Sequence, residues 1–227
     1  MNLQDKKYLL LDLDGVCYGK HNNYSLEKVF GQVSKRMTQF ISERLKIDME
    51  KAKELQTSYF YKYNTSLNGL MIHHDIPPKE FLHFVHDIDL SFMEKDVVLR
   101  NEIEKLNLRK FVFTNGSKEH VKNITSHLGI DDLFEGIFDI VDAEYHPKPA
   151  ARAFDLMVKK FDINPNETIY IEDIAKNLSI GKERGATTVW LINNEYWGKK
   201  ESDKDYIDYK IENLSLFLKE IRLLKNT

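Results

Sequence analysis

The sequence predicts an α/β protein: a doubly wound parallel sheet with an all-helical block inserted after its first strand. Three observations predict it. The segment Tyr8-Leu9-Leu10-Leu11-Asp12-Leu13-Asp14-Gly15-Val16 is a short apolar run that ends in two carboxylates one residue apart. That is how a fully buried parallel strand reads, with its polar residues gathered at the carboxyl end. From Ser25 to about Asp89 apolar residues recur at steps of three and four with no strand signal between them, the period of helices. Beyond about Asp96, short apolar runs alternate with helical ones, as strand-helix-strand units require.

Taken in order, the first strand carries Asp12 and Asp14 at its end, where open α/β sheets bind their ligands. Side chains two apart share a face of a strand, so both carboxylates could converge on one cation if the extended geometry persists. Hard oxygen donors of this kind favour Mg²⁺. Gly15 allows a sharp turn and a close backbone approach. Taken alone, these residues fit a strand followed by an Asp-rich turn equally well.

The helical block opens with Leu26, Val29, Phe30, Val33, Met37, Phe40, Ile41 and Leu45 in helical register. Asp48 reads as the N-cap of a second helix through Ala52, Leu55, Tyr59 and Tyr63, and Pro77-Pro78 opens another carrying Phe81, Leu82 and Val85, since proline suits the first helical position.

Further strands are expected at Arg109 to Thr114, Ile137 to Val141, Thr168 to Ile171 and Thr187 to Ile192, each apolar and rich in β-branched or aromatic residues. Helices are expected from Ser117 to Leu128, Ala150 to Phe161, Ala175 to Arg184 and Leu214 to Leu223, with Gly129 and Gly185 as stops. The polar stretch from Asn193 to Asp208 reads as a long loop. The organisation is thus a core of residues 1–18 and 97–227 with a helical cap of residues 19–96 placed over the strand ends.

The 227 residues carry a net charge of -3, which gives no general attraction to nucleic acid or anionic membrane. A single cysteine, Cys17, excludes an intrachain disulfide and fits a reducing compartment. It reads as a small packing residue without a base partner. The apolar run before Asp12 is too short for a signal-peptide core or a membrane span, so a cytoplasmic location is expected.

The later strands also end in groups that a buried strand does not need. Phe113 leads into Thr114-Asn115-Gly116-Ser117, hydroxyl, amide and backbone N–H donors at a helix start, where anions bind. His146-Pro147-Lys148-Pro149 holds a lysine between two prolines, and Ile171 is followed by Glu172-Asp173. Each has a plain structural use: a surface ion pair for Lys148, a helix cap for Thr114-Asn115, a helix-start acid pair for Glu172-Asp173. Jointly they make a carboxylate nucleophile, a second acid, an anion cradle, a cationic counter-charge and metal ligands. Those are the parts of phosphoryl transfer.

The order DLDG, FTNGS, HPKP and YIED, with helices inserted after the first motif, resembles the haloacid dehalogenase (HAD) superfamily and its Rossmann-like core across essentially the whole chain. The resemblance implies Asp12 as a nucleophile that forms an aspartyl phosphate and Asp14 as the acid that protonates the leaving oxygen and then activates water. It implies Thr114, Asn115 and Gly116 as phosphate-binding, and Lys148 as the neutralising charge. Mg²⁺ would sit on the Asp12 carboxylate, the Asp14 carbonyl and the Asp173 carboxylate, with Glu172 close by. Asp14 separates phosphotransferases from dehalogenating members, which have no leaving oxygen to protonate. A receiver domain would share the strand-end acid but has no room for this cap.

The segments from Tyr59 to Met71, from Phe81 to Leu90 and from Phe113 to Pro149 are similar to pyrimidine 5'-nucleotidase-like members. Gly15-Val16 stands where Asn-Thr is common there, and Asn64 where a glycine is, a mild change because asparagine tolerates positive φ. The resemblance implies a nucleotide such as UMP or CMP as substrate, with Tyr63, Thr65, His73, His74 and His86 as candidate cap contacts, although each also reads as packing. The expected partner is this small phosphorylated metabolite, with no nucleic acid polymer and no membrane, in a monomer or homodimer. The alternatives are a phosphatase for a sugar phosphate or phosphoglycolate, a hexose phosphomutase, and a phosphate-binding regulator without turnover.

Overall fold

The computed structural model describes residues 3–19, 26–193 and 195–225; Ser25, where the helical pattern is expected to begin, lies outside them. The first strand, β1 (Tyr8–Leu11), leads through the acidic turn into four helices, α1 (Leu26–Leu45), α2 (Met49–Tyr63), α3 (Ser66–His74) and α4 (Pro78–His86). After α5 (Val97–Lys105) the chain alternates: β2 (Arg109–Phe113), α6 (Lys118–Leu128), β3 (Gly136–Phe138), α7 (Ala151–Phe161), β4 (Thr168–Glu172), α8 (Leu178–Glu183) and β5 (Thr187–Leu191). The short helix α9 (Tyr196–Lys199), the strand β6 (Tyr209–Ile211) and α10 (Leu214–Lys225) complete it.

All six strands are parallel, in the order β3-β2-β1-β4-β5-β6. The order reverses between β1 and β4, the switch point at which a doubly wound sheet opens a crevice beyond its carboxyl ends. Alternation along the strands gives each face its own core. Leu9, Leu11, Val112, Ile169, Ile171 and Val189 pack with Leu99, Ile103, Val121, Ile124, Leu218 and Ile221 of α5, α6 and α10. Leu10, Phe111, Phe113 and Tyr170 pack with Phe154, Met157 and Leu178 of α7 and α8.

The inserted helices share a third cluster of Val33, Phe40, Ile41, Ala52, Leu67, Leu70, Phe81, Leu82 and Val85, which Ile140 of the core also enters. Phe40 and Phe81 meet edge to face with centroids 5.2 Å apart, the arrangement that ring quadrupoles favour. Asp48 caps α2 by accepting from Lys51 N, and Asn64 ends that helix at φ 65°.

Three local expectations change. The strand expected over Ile137 to Val141 ends at Phe138, because Asp139 accepts from the N–H groups of Lys118 and Asp142 and turns the chain. Helix α3 was not separable by period from α2, from which only Asn64 and Thr65 divide it. The long loop from Asn193 contains α9, and β6 follows it as an edge strand too short to register as a run. No described helix is long and apolar enough to cross a membrane.

Candidate active site

The strand ends bring their polar residues to one place. Asp12 follows β1, Thr114 follows β2, Glu172 closes β4 and Asp173 comes next, while Lys148 arrives from the loop between β3 and α7. All five side chains are buried. Lys148 Nζ lies 2.7 Å from Asp12 Oδ1, 2.7 Å from Glu172 Oε1 and 2.9 Å from the Phe113 carbonyl. Its three hydrogens are thereby matched with three acceptors. The amide oxygen of Asn115 accepts from Lys148 N at 2.9 Å and fixes that loop.

Glu172 is held from several sides, accepting from Ile174 N and from Asn177 Nδ2, each at 2.7 Å. Asn193 Nδ2 donates to Asp173 Oδ2 at 2.7 Å, and Trp190 Nε1 donates to the Asp173 carbonyl at 2.8 Å. Gly15 sits at φ +84°, and a β-carbon there would lie 2.2 Å from Asp173 Oδ2. Only glycine lets the turn pass so close to that carboxylate.

Oxygens of Asp12, Glu172 and Asp173 lie within 4.8 Å of one another, so this trio could hold a metal ion. Three buried carboxylates face one ammonium, and the balance shows in their proton affinities. Burial, with the charges of Glu172 and Asp14, pushes Asp12 up to about 7 against the pull of Lys148. Burial and the neighbouring Glu172 and Asp12 likewise raise Asp173 far above the carboxylate range. Burial disfavours the charge on Lys148, but Asp12 and Glu172 outweigh it and hold the ammonium well above its ordinary range. This donor set fits a hard divalent cation, which takes carboxylate oxygens and would supply the missing positive charge.

Asp14 departs from the expected geometry. The strand stops at Leu11 and the chain turns at Gly15, so the Asp14 carboxylate does not join Asp12 in the acidic trio. Its Oδ1 instead accepts from Tyr18 Oη at 2.5 Å and from His120 Nε2 at 2.9 Å. Burial would raise Asp14, but His120 and Tyr18 outweigh it and hold the carboxyl below its usual range.

The anion cradle is compact. Thr114 Oγ1 accepts from Gly116 N at 2.9 Å, and Ser117 caps α6 by accepting from His120 N at 3.2 Å. Among the described residues the Asn115 N–H has no protein acceptor, which leaves it available to an anion.

A cleft of about 260 Å³ opens over these groups and is lined by Asp12, Asp14, Thr114, Asn115, Gly116, Lys148, Glu172 and Asp173 below. Its upper walls come from the inserted helices and α9, among them Phe30, Met37, Gln56, Phe60, Tyr61, Thr65, His86 and Trp197. Thr65 and His86 are where a cap contact was expected. Tyr63, His73 and His74 are not among the lining residues. Tyr63 bonds His73, and Tyr59 bonds His74 at 2.8 Å while stacking on His73. Helical period turns these groups toward the α2–α3 contact, so they pack the cap. Sequence reasoning missed Tyr18, His120, Asn193 and Trp197, which carry no motif. Cys17 is buried and its thiol donates to the Asp12 carbonyl at 3.3 Å, so it packs as expected.

The fold and this site define an α/β protein with an acidic, lysine-bridged centre beside the helices inserted after β1. Residues 6–185 match the haloacid dehalogenase-like hydrolases, and the chain belongs to that family. It is 28% identical over 167 residues to Phosphate metabolism protein 8 of Saccharomyces cerevisiae, covering 66% of this chain and 50% of that protein. It thus spans half the length of that relative. With the glyceraldehyde 3-phosphate phosphatase of Pyrococcus furiosus it shares 25% identity over 177 residues, 75% of this chain and 72% of that one. The crystal structure of a HAD phosphatase from Thermococcus onnurineus has the same fold, with a TM-score of 0.62 at 18% identity over 95% of this chain and 97% of that one.

Proposed function

We propose that this enzyme is a Mg²⁺-dependent phosphomonoester hydrolase working through an aspartyl phosphate, with a nucleotide 5'-phosphate as substrate. The observation that carries the reading is the buried meeting of Asp12, Lys148, Glu172 and Asp173 at the foot of a cleft beside the Thr114–Gly116 turn. A phosphoryl group needs that combination: a nucleophilic oxygen, donors for its own oxygens and cations to screen its charge.

In this reading an Asp12 carboxylate oxygen attacks phosphorus, the bond from phosphorus to the leaving oxygen breaks, and Asp14 gives that oxygen its proton. The arriving dianionic phosphate favours the protonated form of Asp14 needed for this step. Asp14 then takes a proton from a water that attacks phosphorus. The bond to Asp12 breaks, and inorganic phosphate leaves. Thr114 Oγ1 and the Asn115 N–H hold phosphoryl oxygens while Lys148 balances Asp12. Mg²⁺, held by the Asp12 and Asp173 carboxylates and the Asp14 carbonyl with Glu172 behind them, would supply charge neutralisation and orientation of the phosphoryl group. Asp14 supports hydrolysis of a phosphate ester over dehalogenation.

A planar base is favoured by the aromatic upper walls, where Trp197 lies 6.4 Å from both Phe30 and Phe60. A sugar phosphate is the second reading, supported by the activity named for the Pyrococcus relative. We place this chain in a reducing cytoplasm, on the strength of its lone buried cysteine.

Phosphate release from UMP, CMP, AMP, GMP, phosphoglycolate and hexose phosphates, with Mg²⁺ and with chelator, tests the whole reading. Metal-dependent release led by UMP and CMP is expected, with Asp12→Asn folded but inactive. Preference for a sugar phosphate overturns the base pocket alone, whereas activity in Asp12→Asn overturns the covalent mechanism.

A further inference from the structure

We infer that His120 is a positioning residue for Asp14, acting with Tyr18, and that His86 of the cap holds it in place. The inference rests on the reading of Asp14 as the proton donor to the leaving oxygen. Tyr18 Oη and His120 Nε2 both reach the same carboxylate oxygen, Oδ1, at 2.5 and 2.9 Å. A carboxylate only accepts, so both partners donate to it. Among the described residues none donates to Oδ2, and that oxygen faces the cradle. A β-carbon on Gly116 would lie 3.8 Å from Oδ2 and 3.4 Å from Thr114 Oγ1, so the missing side chain keeps Oδ2 open toward the place where a leaving oxygen would sit. Two donors on one oxygen thus fix the plane of the carboxyl and present the other oxygen to the chemistry.

The ring of His120 has little else to hold it. Its Nδ1 is buried without a hydrogen-bond partner among the described residues, so its orientation comes from packing. That packing is supplied by the cap: His86, at the end of α4, stacks on His120 with centroids 4.3 Å apart and planes 15° from parallel. His86 is itself anchored to the core, its Nδ1 2.9 Å from Ser117 Oγ beside the cradle. A helix of the cap therefore sets the angle at which a core histidine grips the acid, and docking of the cap and placement of the proton donor become one event.

A positioning role predicts a loss that depends on the leaving group. Glycerol 3-phosphate has a strongly basic leaving oxygen that needs a proton, whereas 4-nitrophenyl phosphate leaves as a stabilised phenolate. With Mg²⁺ present, kcat/KM reports the step that breaks the ester bond. For His120→Leu it is expected to fall about 100-fold on glycerol 3-phosphate and no more than about 3-fold on 4-nitrophenyl phosphate, the span that general-acid catalysis covers. Tyr18→Phe and His86→Ala show the same split at smaller size, and they carry the test where His120→Leu does not fold. His120→Gln, which keeps an N–H donor, recovers part of the loss. Equal losses on both esters, or none, overturn the positioning role. A wild-type enzyme that releases phosphate from no ester, nucleotides included, or an Asp12→Asn variant that turns over either of these two, overturns instead the reading on which it rests. If only UMP or CMP is turned over, the nucleotide takes the place of glycerol 3-phosphate and an aryl phosphate carrying the same base that of 4-nitrophenyl phosphate.

Discussion

Asp208 illustrates how one side chain can hold an edge of the sheet. Its carboxylate accepts from Lys182 Nζ of α8, from Thr188 N at 3.0 Å and from Thr188 Oγ1 at 3.1 Å, just before the edge strand β6. Partial burial would raise its proton affinity, but Lys182 and the Thr188 donors prevail and the carboxyl is held below its ordinary range. A depressed folded value stabilises the protein above the unfolded value of about 4, and that contribution is lost as pH falls through the folded value. Asp208→Asn should therefore cost on the order of 2 kcal/mol at pH 7, typical of hydrogen bonds to a charged group. The gap between mutant and wild type should close as urea unfolding is repeated toward pH 3, and a gap independent of pH would show that the charge is not what matters. The positions of Asp12, Asp14 and Asp173 were legible because each sits in a motif at a strand end, and that of Lys148 because two prolines flank it in the loop before α7. His120 and Tyr18 were not, because what matters in them is a distance across the fold to Asp14.

Elements were legible where their ends are marked chemically. Asp48 before α2, Pro78 at the start of α4, and Gly129, at φ 69° after α6, all act as their residue types require. The end of α2 at Tyr63 was legible, with Asn64 at φ 65° as its positive-φ stop, but α3 was not, because Ser66, Asn68 and Gly69 in its first turns are weak helix formers. Asn64 does more than end a helix: its Oδ1 accepts from Lys176 Nζ at 3.1 Å, a tie between the cap and the loop after β4. The strand β6 was illegible because the alternation of half-buried Tyr209, exposed Lys210 and half-buried Ile211 is too short to register. The cap's own stability is open to a clean test at Asp48, whose exposed side chain touches α2 and nothing in the cleft. Asp48→Ala should cost about 1 kcal/mol, the worth of an N-cap, while kcat/KM stays at the wild-type value. A loss of activity at unchanged stability would mean that α2 is set by more than its own cap.

The whole molecule is organised around a charge that its own residues do not balance. Because β1 and β4 are neighbours at the reversal of strand order, the acids at their ends meet, and their side chains are buried there. Folding thus confines the carboxylates of Asp12, Glu172 and Asp173 with the single ammonium of Lys148. An excess of buried negative charge is costly, and anything that binds it only in the folded state stabilises the fold by mass action. Mg²⁺ at a hundred times its dissociation constant should contribute about 2.7 kcal/mol. For a chain of this size that raises the melting temperature by roughly 5 to 10 °C. Chelator should reverse the rise, and Asp173→Asn should abolish most of it while melting at or above the metal-free wild type, since it removes one of three mutually repelling carboxyl groups. A melting temperature that ignores Mg²⁺ at every concentration would mean that protons, rather than a cation, balance this centre, and would overturn the metal part of the proposed function.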